Sequence, residues 1–204
     1  MTIDPTGGSK TRDAILREAA RLVTVEGIDG LSISRLADAV GLSKSGLFAH
    51  FKSKEELQLA TIEIADRIFR DEVITPAFGA ALGLARLRAL CDEFLAHLER
   101  GVFPGGCFFA SVMAELDTHP GPVRDRALAT VADWFDQLES ATREAQANGD
   151  IEPGEDPEQV AFELDAYLLF ANARYIVGGD PGELERGRRA VDRLLRSIQS
   201  RPPG

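Results

Sequence analysis

Cysteine is nearly absent from this 204-residue chain. The two present, Cys91 and Cys107, match no zinc or redox spacing, which excludes a disulfide framework and a thiolate metal centre. Histidine is as sparse: His50, His97 and His119 include no pair at helical ligand spacing, so no metal and no cofactor are expected. No apolar run reaches the ~18 residues of a membrane span, because the best stretch, 166–173, is interrupted by Asn172 and followed by Arg174. The segment up to Ser9 is polar and lacks the apolar centre of a secretory leader, and a cytoplasmic chain with reduced thiols is expected. Repeats and low-complexity segments are missing too.

What is present is ordinary in amount and uneven in placement. Hydrophobic residues make up 44% and charged residues 27%, close to globular averages. The formal charge is −10, which at first sight opposes a nucleic-acid partner. Residues 1–60, however, hold 8 basic and 8 acidic side chains, so residues 61–204 carry the whole deficit. Within the neutral part, residues 43–54 contain Lys44, Lys52 and Lys54 and no acid.

Apolar periodicity is helical almost throughout and predicts an all-α fold of about nine helices. After a polar arm, Ile15, Ala19, Leu22 and Val23 form a stripe ending at Glu26-Gly27. Ser32 can cap a short helix carrying Ile33, Leu36, Ala37 and Val40, stopped by Gly41; Ser43 can cap another reaching about Phe51. Ser53 and Glu56 form an S-x-x-E capping box that opens a longer helix halted at Pro76. Further helices are expected around 87–100, 107–116, 123–148, 157–177 and 181–200, separated by glycine- and proline-rich turns. In the segment 157–177 apolar residues surround the whole circumference, and such a helix needs cover on both sides.

Two short helices joined through Gly41-Leu42-Ser43 have the layout of a helix-turn-helix. On the second, Leu47 and Phe51 share one inward seam, while Lys44, Ser45 and Phe48 lie on another face. Lysine can donate to guanine, serine to several base edges, and an aromatic ring can pack on a thymine methyl. Gly46 permits backbone approach to a phosphate, and Lys54 stands near the start of the fourth helix, where free amides favour an anion.

The stretch 31–57 resembles the signature of the tetracycline-repressor (TetR) family of transcriptional regulators. The resemblance is carried by Ala37-x-x-x-Gly41-Leu42-Ser43, by Gly46-Leu47-Phe48-Ala49-His50-Phe51 and by Lys54-Glu55-Glu56-Leu57. It implies a helix-turn-helix DNA-binding domain over 1–53 and a helical ligand-binding and dimerisation domain over 54–204. It implies that Ser32 and Arg35 touch the DNA backbone or groove edge, that Lys44, Ser45 and Phe48 face bases, and that Gly46, His50 and Lys54 meet phosphates. The family usually has tyrosine where this chain has Phe48, which leaves apolar contact only. Lys10 and Arg12 are the only basic residues of the amino-terminal arm, too few for extensive minor-groove contact.

For the remainder the resemblance implies a double-stranded DNA operator as partner, a small-molecule effector, a homodimer and no membrane. Candidates for the ligand pocket are Phe94, Leu98, Cys107, Phe109, Met113, Trp134, Leu138, Tyr167, Phe170 and Asn172; core packing is the competing role for each. Candidates for a four-helix dimer seam are Leu164, Leu168, Ala171, Leu184, Val191, Leu194, Leu195 and Ile198, with burial inside one chain as the alternative. Cys107 follows Gly105-Gly106 at a helix start, where redox sensing competes with a buried inert thiol. The expected function is a repressor released from a palindromic operator by a small hydrophobic ligand. The alternative is an all-helical enzyme or interaction module with a non-functional helix-turn-helix. No nucleophile, base and orienting group can be assembled, and Glu115, Asp117 and His119 read as a polar loop edge.

Overall fold

The computed structural model describes the backbone of residues 5–116 and 120–200, with side chains from residue 11; Asp117 and His119 lie outside the described residues. The helices are α1 (Pro5–Glu26), α2 (Ile33–Val40), α3 (Lys44–Phe48), α4 (Lys54–Phe69), α5 (Leu84–Glu99), α6 (Phe108–Leu116), α7 (Pro122–Ala147), α8 (Pro157–Gly178) and α9 (Gly182–Ser197). Among the described residues the only β pairing is an isolated bridge between Ile151 and Gln199. The segment expected as a polar arm is helical from Pro5, and α3 ends at Phe48, earlier than its apolar spacing indicated.

Proline explains how α4 ends. Without an N–H, Pro76 cannot bond to the carbonyl four residues back, and the ladder passes through a π turn at Arg70–Ile74 before a last turn, Thr75–Ala77. The carbonyl that Pro76 leaves unmatched, that of Glu72, accepts from Arg100 Nη2 at 2.8 Å.

The chain divides into two compact units, and the division does not follow the 1–53/54–204 boundary. The first unit comprises residues 1–68 and 103–129, the second residues 69–102 and 130–204. In the first, Ile15, Leu16, Ala19, Leu36, Leu47, Phe51 and Leu57 form the buried centre of α1–α4. Helix α6 belongs to this unit because it packs on α1. The turn before α6 is bound to α1 as well: Gly105 N donates to Thr24 Oγ1 at 3.1 Å.

In the second unit α9 packs on α8 and on α5. Gly187 permits the closest approach, since a Cβ there would lie 2.8 Å from Ala171 Cβ. Arg174 on α8 bonds Glu183 on α9 at 3.1 Å. The end of α9 is pinned to the segment before α8 by Glu152 N donating to Ile198 O and Ser200 N donating to Asp150 O, both at 3.0 Å.

This packing corrects the expected dimer seam. Leu164, Leu168 and Ala171 of α8, with Leu184, Val191, Leu195 and Ile198, are all buried inside one chain, and Leu194 is half-buried. Apart from Leu194, their surface is already covered by the α8–α9–α5 contact. The apolar residues left outside on α8 are Phe162, Ala166, Phe170, Ala173, Ile176 and Val177.

Candidate nucleic-acid interface

Local chemistry builds the helix-turn-helix. Ser32 caps α2, its Oγ accepting from Arg35 N at 3.2 Å; Gly41 closes it with φ +69°, a left-handed conformation that glycine adopts without a Cβ clash. Leu42 N then donates back to Ala37 O at 3.0 Å, which turns the chain sharply into Ser43. Ser43 Oγ accepts from Gly46 N at 3.1 Å and starts α3. The capping box at α4 forms with one difference from the usual pattern. Ser53 Oγ accepts from Glu56 N at 3.0 Å, but Glu56 Oε2 accepts from Lys52 N, one residue upstream of the cap, at 2.9 Å.

Leu47 and Phe51 are fully buried, so α3 has one fixed orientation, and it presents Lys44, Ser45 and Phe48 to solvent. Phe48 is 53% exposed, a large ring left in water on a helix whose inner face is otherwise closed. The other expected DNA contacts already have protein partners. Ser32 is spent on its cap. Arg35 is clamped by the Glu26 carboxylate, whose hydrogen bonds and charge raise the guanidinium pKa and lower that of Glu26. Lys54 Nζ donates to Asp29 O at 2.7 Å, and His50 is half-buried beside the Phe51 ring. Arg12, expected in a loose arm, places its guanidinium 4.9 Å from the centre of the Phe51 ring.

Sequence reasoning missed the residue that holds the α1–α2 turn. Both carboxylate oxygens of Glu115, on α6, accept main-chain amides of that turn, Ile28 N and Asp29 N, each at 2.7 Å. Gln58 of α4 adds a bond from Nε2 to Ile28 O at 2.8 Å. The reading of Glu115 as a polar loop edge is therefore corrected. Its partners lie far away in sequence and are backbone, so no side-chain motif announced them.

The expected ligand residues are divided between the two units. Cys107, Phe109 and Met113 fall in the first unit, while Phe94, Leu98, Trp134, Leu138, Tyr167, Phe170 and Asn172 fall in the second. Cys107 is buried, and burial pushes the thiol of Cys91 up, away from reactivity. Phe170 is no interior residue: it is 69% exposed on the outer side of α8. Within the second unit, Trp134 stacks on Phe94 at 5.8 Å and meets Phe69 edge-on at 5.3 Å. Its Nε1 donates to Asp165 Oδ1 at 2.8 Å, and burial raises the Asp165 carboxyl while that hydrogen bond opposes the rise.

His97 sits edge-on to Phe69 in the same interior, and burial, with Arg100 nearby, lowers its pKa from 6.5 to about 4. An unfolded His97 takes up a proton below its ordinary pKa while the folded one does not, so stability is present above that pH and is lost as pH falls towards 4. Between pH 7 and pH 4.5, His97→Phe should lose on the order of 2–3 kcal/mol less stability than the parent in urea titrations. Equal losses would show that His97 is not the group responsible.

A short helix with a buried seam and an exposed polar and aromatic face, capped at its start by Ser43 and braced by its neighbours, has the geometry of a DNA-binding regulator of the helix-turn-helix class. Comparison with known proteins agrees. Residues 15–61 match the family model for bacterial regulatory proteins of the tetR family, and residues 83–191 match the tetracyclin repressor-like C-terminal domain. A TetR transcriptional regulator from Chloroflexus aurantiacus J-10-FL superposes with a TM-score of 0.87 at 26% identity, covering 96% of this chain and 100% of that one. The transcriptional regulator AcuR of Cereibacter sphaeroides is 25% identical over 155 residues, 75% of this chain and 70% of AcuR. AibR, in complex with isovaleryl coenzyme A and operator DNA, matches with a TM-score of 0.70 at 26% identity, over 92% of this chain and 97% of that one. The chain belongs to the TetR family of transcriptional regulators, and it is a DNA-binding regulator, not an enzyme.

Proposed function

We propose that the chain is a cytoplasmic repressor that binds a palindromic operator as a homodimer and leaves it when a small hydrophobic ligand enters the C-terminal unit. The exposed trio Lys44, Ser45 and Phe48 on a firmly seated α3 carries the DNA half of this reading. Their side chains meet base edges in the major groove, and Gly46 and His50 lie towards the phosphates. Arg35 and Lys54 act mainly as braces, because a phosphate must compete with Glu26 and with the Asp29 carbonyl for them. Two recognition helices about 34–36 Å apart fit half-sites one DNA turn apart.

The ligand half is supported by the aromatic interior around Phe94 and Trp134 and by AibR, named in complex with both a coenzyme A thioester and operator DNA. Release needs a ligand that prefers the DNA-incompetent conformation; reversing a 99:1 population takes about 10⁴-fold preference, ~5.5 kcal/mol. Native mass spectrometry of the purified chain should reveal a co-purified small molecule whose addition lowers operator affinity.

The DNA half is tested by fluorescence anisotropy on a palindromic fragment from the chain's own upstream region. Lys44→Ala should weaken operator binding by about 1–3 kcal/mol, roughly 5- to 150-fold. Phe48→Ala should reduce specific binding more than binding to random duplex. Equal losses on both duplexes would remove the assignment of Phe48 to a base.

A further inference from the structure

Among the described residues Asp165 is the only buried acid, 6% exposed on the inner side of α8. Ala161 and Leu168, about one turn to either side of it, are buried and apolar. Its Oδ1 accepts from Trp134 Nε1 at 2.8 Å; its Oδ2 has no partner among the described residues, and no cation there forms an ion pair with either oxygen. An indole N–H needs an acceptor but not a charge. The amide oxygen of an asparagine would serve it equally, without the strongly unfavourable burial of an unpaired carboxylate. The acid is therefore more than the tryptophan requires.

The surroundings supply no counter-charge. Cys91 lies within electrostatic reach of both Asp165 and Arg88, but Arg88 is paired with Asp192 on α9, and burial keeps the Cys91 thiol neutral. His97, in the same interior, is held neutral at pH 7 by burial. What adjoins the Trp134–Asp165 pair is aromatic: Phe94 stacks on Trp134, and Phe69 stands edge-on to it. Neither Trp134 nor Phe69 is completely sealed, at 8% and 7% exposed. Ring faces attract cations and leave a bare anion unsolvated, so carboxylate and rings together select for positive charge.

We propose that Asp165 is the counter-ion of a cationic ligand: an ammonium group on an apolar body, its nitrogen meeting Oδ2 and its body lying among Trp134, Phe94 and Phe69. This rests on the small-molecule site proposed above for the C-terminal unit and narrows its ligand from any hydrophobic molecule to a lipophilic cation. A neutral ligand of the same shape fills the aromatic part but leaves the carboxylate unpaired, so it binds less well. Asp165 keeps its bond to Trp134 in either case, which ties the indole to the state of the site.

Trp134 is the single tryptophan of the chain, so its emission reports on the site directly. In the full chain, phenylpropylammonium should change that emission saturably, and the size-matched neutral phenylpropanol should need a concentration about tenfold higher or more. Asp165→Asn retains an acceptor for the indole and should weaken binding of the ammonium by about 30-fold while leaving phenylpropanol within about threefold. Equal affinity of the parent for the two probes overturns the assignment, as does the lack of a saturable response to the ammonium. This comparison in the parent decides the matter even where Asp165→Asn fails to fold. A preference for the ammonium that survives in folded Asp165→Asn also overturns it, since the cation then sits elsewhere on an acidic protein. Operator anisotropy with the same probes separates this inference from the reading it rests on. Saturable, Asp165-dependent binding that leaves operator affinity unchanged keeps the cation site and overturns ligand-driven release.

Discussion

Replacing Gly105 with alanine is expected to lower the thermal midpoint by about 10 °C or more, a loss of roughly 3–5 kcal/mol. The backbone of the turn before α6 runs against the end of α1 so closely that an alanine Cβ would overlap the Thr24 carbonyl group and lie 2.8 Å from Thr24 Cβ. Backbone is on both sides of the clash, so no side-chain rotation can relieve it. The same turn donates Gly105 N to Thr24 Oγ1, and Thr24 Oγ1 in turn donates to Arg21 O at 2.9 Å. Moving the chain far enough to admit a methyl breaks the first of these bonds and lifts α6 from α1. Gly154→Ala is the control, since a Cβ there meets open space. Similar melting of the two variants would show that the approach at Gly105 can relax.

How far the sequence disclosed the molecule depends on how local the interaction is. Ser32, Gly41 and Ser43 could be assigned correctly because each cap is satisfied within three or four residues of itself. The buried Leu47 and Phe51 followed from spacing for the same reason. Helix α8 shows where that reasoning stops. It is apolar all round, so periodicity gave no means of telling Leu164 and Leu168, which are buried, from Phe162 and Phe170, which are not. The neighbouring α9 held the missing information: one face is apolar and the other arginine, so only one way of laying it on α8 was open.

The compact units depart from the boundary read in the sequence for a complementary reason. Residues 1–53 contain the recognition motif, but α6 and the turn before it join the same compact unit through contacts with α1 that no neighbouring residue signals. The tetracyclin repressor-like C-terminal model, which covers 83–191, thus includes a helix that structurally belongs with the DNA-binding helices. A ligand that shifted α6 would act on them directly.

Glu115 makes that link concrete, and Glu115→Ala is expected to lower stability by about 2–4 kcal/mol and operator affinity about tenfold under conditions where the variant remains folded. Two amides at the α1–α2 turn, one of them belonging to the fully buried Ile28, lose a charged acceptor together. The turn keeps Gln58 and Lys54, whose bonds go to the carbonyls of Ile28 and Asp29, so it should loosen without unfolding. Because α2 starts just beyond it and braces α3, a looser turn widens the range of recognition-helix orientations and lowers affinity for a rigid duplex. Glu115→Gln, with one acceptor oxygen and an amide that cannot accept, should fall between parent and alanine. Anisotropy titrations at 15 °C, with circular dichroism confirming intact helices, separate the two effects. Parent-like operator affinity in a folded Glu115→Ala chain would mean that α6 stabilises the unit without setting the position of α3.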